Sequence, residues 1–474
     1  MSKQTLVQTL VAVLATLVGI GPNFSPITAQ EAVDSTSTAN TKTEVQNPDT
    51  GLIVHEWGTF TTFSGSNGVH LDFRPLRDQE LPRFVFDRAR QDGFVWLGKA
   101  RLKTRVRMET PVTYFYTDVE RKVSVDVEFP KGMLTEFYPP VRAQEPAFNS
   151  DNAFSDMGEP IGGAKLHWGE VTLIPTTLLR PAISDESTAR WMGQCAEQRI
   201  LPNAAGNHYE AARATDSALV HIRLEPSKSA IGNRPSGDYL EKFLFYRGVG
   251  KFDIPVTVVS DDSRVFQVSN HGKETLRRAI VFRLHGEQFS YGIVPDIAPG
   301  QTVAVSEPKR LVELSTLHEI MQHELVAAGL YEREATAMLN TWSTSWFGEQ
   351  GTRMFYLVPQ EVTDRELPLN IVPQPDQLLR VMVGRVEIMS ASEEQRLITV
   401  VKTTAAQRKA ELEKMVEQGI ENPSVPIRVP DELVALGRLA EPALHRLIEI
   451  QSDPVVRQEA EGMLWQLAQE RGLE

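Results

Sequence analysis

A single cysteine, Cys195, stands in 474 residues, so no internal disulfide can form and stability has to come from the core. The same scarcity excludes a lipid anchor, which needs a cysteine at an amino-terminal cleavage site. The surrounding Gly193-Gln194-Cys195-Ala196-Glu197 fits no thiol-enzyme pattern, and such a cysteine reads as a small packed group. Long apolar runs are lacking too: a membrane-spanning helix needs about 20 residues, and the amino-terminal run from Leu6 to Ile20 is shorter. Positive charge is in deficit, with 49 Lys and Arg against 62 Asp and Glu and a net charge of −13. That balance disfavours general nucleic-acid binding and attraction to anionic membrane surfaces.

Catalytic signatures are also missing. A zincin needs His-Glu-x-x-His, which sets two imidazoles one turn apart on one helical face. The three His-Glu pairs, His55-Glu56, His318-Glu319 and His323-Glu324, have Thr59, Gln322 and Ala327 at the fifth position. His318 and His323 stand ~140° apart around an α-helix, so they do not readily share a metal. There is no Gly-x-Ser-x-Gly elbow and no Walker loop, and Gly248-Val249-Gly250 lacks the third glycine of a dinucleotide fingerprint. The acidic turn Asn149–Glu159 lacks EF-hand spacing. No metal and no cofactor is expected.

What is present begins with an export signal. Lys3 is the only charge before Glu31, Leu6–Ile20 is an apolar h-region, Gly21-Pro22 breaks it, and Ile27-Thr28-Ala29 ends in a small residue suited to signal peptidase. Residues 1–29 are therefore expected to be removed, leaving an acidic chain of about 445 residues with no membrane span. Its address is extracytoplasmic: periplasm, cell surface or secreted. Residues 30–50 carry no aromatic and few large apolar side chains, the composition of a disordered spacer.

From Gly51 to about Glu307, short apolar runs alternate with Gly/Pro turns, the pattern of strands. Alternation is clearest at Val123, Val125, Val127 and Phe129, with Ser124, Asp126 and Glu128 between them, as in a half-buried antiparallel strand. Residues 51–250 read as a β-rich domain. Within 251–310, the runs Ile254–Val259, Val265–Val268, Ala279–Leu284, Phe289–Val294 and Thr302–Val305 suggest an Ig-like β-sandwich module.

Residues 311–390 read as an αα-hairpin plus returning strands. Thr316-Leu317-His318-Glu319 has capping-box spacing, and Leu314, Leu317, Met321, Leu325 and Ala328 recur at helical intervals up to Gly329. A second stripe, Ala335, Met338, Leu339, Trp342 and Trp346, follows. Two tryptophans in a stripe with Met and Leu read as core rather than as a sugar platform. Strands return at Arg353–Val358 and Leu379–Ile388. Residues 391–430 are a charged helix capped by Ser392 and reaching about Gln418, then a Pro-rich linker, Asn422–Pro430. The helical tail 431–474 resembles a single HEAT-type repeat: Pro442–Ile450, then a helix opened by Ser452-Asp453-Pro454 with Val456, Ala460, Leu464 and Leu467 on one face. One repeat cannot bury its own face, so it is expected to dock on the body or on a partner. The fold class is α+β.

The block Val54–Thr61 (VHEWGTFT) resembles the opening of an uncharacterised family of exported bacterial proteins. Arg107–Tyr116 (RMETPVTYFY), Glu241–Gly248 (EKFLFYRG), Asn340–Phe347 (NTWSTSWF) and Arg380–Arg385 (RVMVGR) also resemble it, over about residues 52–390. The resemblance implies a shared fold and address and carries no activity or catalytic residue across. Physically, His55, Glu56 and Trp57 would supply a base, an acid and a stacking surface, or equally a core strand with a salt bridge. Lys99, Arg101, Lys103, Arg105 and Arg107 alternate with less polar residues, so an extended strand would line them along one face. Such a row either binds an anionic polysaccharide or is cancelled by Asp118, Glu120, Asp126 and Glu128 on the following strands.

Two functions follow. One is a non-catalytic envelope or surface protein that binds a glycan or an envelope protein, with Trp57, Arg101, Lys103, Arg105 and Arg107 as ligand-binding candidates. The other is an extracytoplasmic hydrolase with His55 and Glu56 as general acid and base.

Overall fold

Ile53–Ser64 (β1) is buried at every position after Ile53, which requires cover on both faces. The computed structural model describes residues 51–73, 81–87, 104–146, 162–179, 201–225, 236–260, 264–277 and 279–472. The signal segment 1–29, the spacer 30–50, Lys99, Arg101, Lys103, the turn Asn149–Glu159 and Cys195 lie outside these residues. β1 pairs in parallel with β19 (Gln377–Ile388) and antiparallel with β3 (Val106–Tyr116). The three strands are central in a ten-stranded sheet ordered β16 (Leu311–Val312), β14 (Gln288–Ile293), β13 (Ile280–His285), β17 (Gly351–Val358), β19, β1, β3, β10 (Leu244–Gly250), β5 (Gly132–Tyr138) and β2 (Phe86–Asp87).

One face of this sheet packs on further strands. Val54, Phe60, Met108, Tyr246 and Met382 share a core with Val123, Val125, Leu166, Trp168 and Val220 of a second sheet, ordered β18 (Leu369–Val372), β4 (Arg121–Phe129), β7 (Ala164–Ile174), β8 (Leu219–Leu224) and β9 (Gly237–Glu241), with β6 (Ala143–Glu145) on β7. Along β4, Val123, Val125, Val127 and Phe129 are buried in alternation, as the sequence pattern requires. A third sheet of β11 (Val256–Ser260), β12 (Val265–Asn270) and β15 (Thr302–Ser306) joins the same core.

The other face is covered by helices. Trp57, Val112, Tyr114, Phe282, Phe355 and Val381 pack on α1 (Leu314–Ala327), α2 (Glu332–Phe347) and the 3-10 helix His208–Arg213. A short α3 (Gln360–Glu366) leads into β18. The carboxyl-terminal part holds α4 (Ala391–Glu417), α5 (Asp431–Val434), α6 (Ala440–Ile450) and α7 (Pro454–Gly472). Leu444, Leu447, Val456 and Ala460 of the tail pack with Phe63, Met389, Leu397 and Val401 of the preceding chain. The fold is thus α+β, with sheets in the amino-terminal body and helices at the carboxyl end.

Some expectations need correction. Residues 251–310 are not a self-contained sandwich, because β13 and β14 belong to the ten-stranded sheet. Ile280, Phe282 and Leu284 face the helical hairpin while Val281 faces the strand-packed core, so this hairpin is covered on both sides and sits within the larger layer. The Thr316 capping box does not form: α1 starts at Leu314 with Glu313 before it, so Thr316 is already in the first turn. The charged helix is capped by Ser390, not Ser392, and its hydroxyl accepts from the Glu393 backbone N–H at 3.2 Å.

Candidate functional site

The parallel β1–β19 pair sets the geometry. Successive side chains of a strand point to opposite faces, so His55, Trp57, Thr59 and Thr61 face the helical hairpin and Glu56 faces the strand-packed core. His55 Nδ1 lies 2.8 Å from Glu334 Oε2 on α2, and Tyr116 Oη donates to Glu334 Oε1 at 2.8 Å. The Tyr331 backbone N–H donates to the same carboxylate at 2.8 Å. His55 Nδ1 and the Glu334 carboxylate share one hydrogen bond, whose direction depends on the imidazole tautomer. Burial first, then the Glu334 charge, raises the Tyr116 hydroxyl well above its ordinary pKa, so it stays a donor.

On the opposite face, Glu56 accepts from Arg380 Nε at 2.7 Å, from Thr113 Oγ1 at 3.0 Å and from Tyr246 Oη. Arg380 Nη1 also reaches Asp364 Oδ1 at 3.0 Å. The ladder makes this possible, since Glu56 stands beside Arg380 in β19 and Thr113 in β3. His55 and Glu56 therefore share no site, and each is held by its own partners.

Farther along the hairpin-covered face, charge is dense. Thr61 Oγ1 donates to Glu109 Oε2 at 3.0 Å, and Arg107 Nε lies 2.9 Å from Glu109 Oε1. Arg438 of the tail pairs with the same carboxylate and lies 3.0 Å from Glu349. Arg385 holds Glu349 at 2.6 Å and donates to Ser345 Oγ at 2.9 Å. Glu387 is shared by Arg385 and by Arg353, the latter at 3.0 Å. Arg247 and Glu136 face each other between β10 and β5. Burial alone would raise the Glu109 carboxyl, but Arg438, Arg107 and Arg385 outweigh it and hold it well below the usual carboxylate range. Among the described residues the cluster includes the guanidinium groups of Arg107, Arg247, Arg353, Arg385 and Arg438 and the carboxylates of Glu109, Glu136, Glu349 and Glu387.

Over this row lies a group of hydrogen-bonding side chains. The 3-10 helix that carries His208 is fixed by Arg213 Nη2 on buried Glu241 at 2.7 Å and by Tyr114 Oη donating to the Ala212 carbonyl at 2.7 Å. His208 faces Trp342 with ring centroids 6.4 Å apart, and Trp342 and Trp346 run parallel at 6.3 Å and 9°. Among the described residues, the buried atoms without a hydrogen-bond partner include Trp57 Nε1, Thr59 Oγ1, His208 Nε2, Trp342 Nε1 and Trp346 Nε1 on this side, and Gln144, Tyr356 Oη and Thr363 Oγ1 elsewhere. An unmade buried bond costs about 1–3 kcal/mol, and native folds keep few of them, so five on one side leave hydrogen-bonding capacity that a ligand could use. Burial, then Arg247 and Arg438, lowers the His208 pKa to about 4, which leaves the imidazole neutral at pH 7.

The candidate cations behave differently from a surface row. Arg105 pairs with Asp72 at 3.2 Å and with Asp253 at 2.9 Å, while Arg107 is buried beside Glu109. Asp126 and Glu128 are not their counter-charges, because β4 lies in the second sheet and gives these groups to His167 and Lys165 at 3.1 Å each. Asp118 and Glu120 lie in the turn before β4. Sequence reasoning missed Glu334, Arg380, Glu109, Arg385, Arg438 and His208 as site residues. For the strand residues Glu109, Arg380 and Arg385 the available signal was a charge inside a largely apolar strand, whereas Glu334, Arg438 and His208 lie on helices and carry no such signal.

No family model matches the chain, and no curated protein matches it. Among solved structures it is similar to the Fcho1 mu homology domain of Danio rerio with bound Eps15 peptide, at 8% identity over 72% of this chain and 97% of that chain with a TM-score of 0.27. It is also similar to the yeast delta-COP-I mu-homology domain, at 9% identity over 72% of this chain and 96% of that chain with a TM-score of 0.24. These scores are too low to assign a ligand, a partner or a family.

Proposed function

We propose that the protein is an exported, non-catalytic binding protein of the envelope or cell surface whose partner is an anionic glycan. The observation that carries this reading is the separation of His55 and Glu56, which hold opposite layers of the core and present no joint acid and base to one substrate. The grouped donors beneath α2 add recognition chemistry to the same molecule. Export rests on the Lys3–Ala29 pattern, and the α6–α7 pair is read as a HEAT-like unit closing the end of the body.

The test uses the full chain expressed with its leader and recovered outside the cytoplasm. Retention on an immobilised acidic polysaccharide, with no release of reducing ends on incubation, is the expected result. Reducing-end release that is lost in His55→Gln would overturn the reading.

A further inference from the structure

We infer that the buried donors of Trp342, Trp346, Thr59 and His208 form a recognition site for an oxyanion, carried by an acidic sugar or by inorganic sulfate or phosphate. The inference rests on the binding-protein reading and deepens it by naming the ligand chemistry.

These groups occupy one neighbourhood. Trp342 faces His208 at 6.4 Å and runs parallel to Trp346. His208 is close enough to Arg247, Arg438 and Glu109 to feel their charges. Glu109 is the cross-strand partner of Thr59, and Thr61, on the same face, donates to it. Trp57 adds a further unpartnered indole one step along that face.

The chemistry selects an anion. An indole N–H donates and never accepts, a hydroxyl can donate, and a neutral imidazole donates through one nitrogen. Trp342 and Trp346 are 1% and 0% exposed and Thr59 is 0% exposed, so these donors are desolvated and pre-oriented. A cation brought here would meet donors, and the neighbouring carboxylates Glu109 and Glu349 are already engaged by Arg107, Arg438 and Arg385. An oxyanion brings several acceptor lone pairs, and Arg247 and Arg438 stand close enough to His208 to favour negative charge beside it.

The site carries its own reporters, since binding changes the surroundings of two tryptophans. The full mature chain is titrated with galacturonate, with sulfate, with phosphate and with neutral galactose, reading tryptophan fluorescence and melting temperature. Saturable change with galacturonate alone assigns an acidic sugar, and saturable change with sulfate or phosphate alone assigns the inorganic ion; either supports the site. The paired Trp342→Phe and Trp346→Phe substitution keeps the aromatic packing and removes two donors, and weakens binding at least about 10-fold, a loss of one to two hydrogen bonds to a charged acceptor. If that variant does not fold, Thr59→Val serves with the same expectation. Binding by none of the anions, or binding untouched by these substitutions, overturns the inference. That outcome leaves polysaccharide retention as a separate measurement, whereas hydrolysis of a polymer would defeat the non-catalytic reading and leave an observed oxyanion isotherm standing.

Discussion

Replacing Arg438 by methionine removes a cation that the carboxyl-terminal tail sends into the charged face of the large sheet. Its guanidinium joins Glu109 and Glu349, and the Glu109 side chain is 1% exposed. Removing one partner of a buried pair costs roughly 3–5 kcal/mol, because the remaining charge stays desolvated. Glu109 keeps Arg107 at 2.9 Å and Thr61 at 3.0 Å, so about 3 kcal/mol, the lower end, is expected. In a chain this long that is a fall in Tm of roughly 3 °C. The loss depends on pH in a stated direction. The folded-state pKa of Glu109 is depressed, so its contribution is present above the unfolded carboxylate pKa of about 4.3 and is lost as pH falls through the lower folded value. In Arg438→Met the largest charge holding it down is gone while burial still pushes up. The variant's Glu109 then takes a proton at higher pH and relieves its own penalty. The Tm gap between wild type and variant should be widest at pH 7–8 and narrow toward pH 4.5, and Glu109→Gln in the variant background should recover part of it. A gap unchanged between these pH values, or no gap at all, refutes the reasoning.

Arg380→Met should cost roughly 3–5 kcal/mol by leaving Glu56 buried with only Tyr246 and Thr113, and adding Glu56→Leu should restore part of the loss; urea unfolding of the two variants measures both. Deleting residues 431–474 should uncover Phe63, Met389, Leu397 and Val401, at about 1.5–3 kcal/mol for each large apolar side chain exposed, read as dye binding and a lowered melting temperature. An unchanged melting temperature and solubility would contradict it. The mature amino terminus should be Gln30, and an intact mass that retains Met1–Ala29 would refute cleavage.

Much of the architecture could be read from local pattern, because burial leaves a period. The valines of β4, the stripe Ala335 to Trp346 and the apolar face of the tail all follow from residues a few positions apart. What could not be read was which sheet a strand joins. The β1–β19 pairing brings together Glu56 and Arg380, 324 positions apart, and only that pairing shows Glu56 to be a structural ion-pair partner. The five blocks singled out in the sequence do meet, supplying Thr59, Glu109, Arg247, Trp346 and Arg385 to one face. His208 and Arg438 lie outside all of them and carry no local signal. The caps were misplaced for a related reason: serines at 390 and 392 both suit an N-cap, and the choice depends on where the preceding strand releases the chain.

The charged face is a costly way to stabilise a sheet, since each desolvated ion carries a penalty of several kcal/mol that its partners must offset. Its arrangement argues for a positioning role. Arg353 donates to the Trp346 carbonyl at 2.7 Å and to the Glu349 and Gln350 carbonyls at 2.8 and 3.0 Å, satisfying acceptors that a helix end leaves open. Arg385 holds Ser345 and Glu349, and Arg438 holds Glu349 from the tail. All of these contacts converge on the last turn of α2 and the residues just after it, so the network fixes the helix end that carries Trp342 and Trp346. An apolar substitute of equal volume would fill the space without fixing that helix end. The tail thereby enters the same logic: by supplying Arg438 it couples its own docking to the placement of the two indoles.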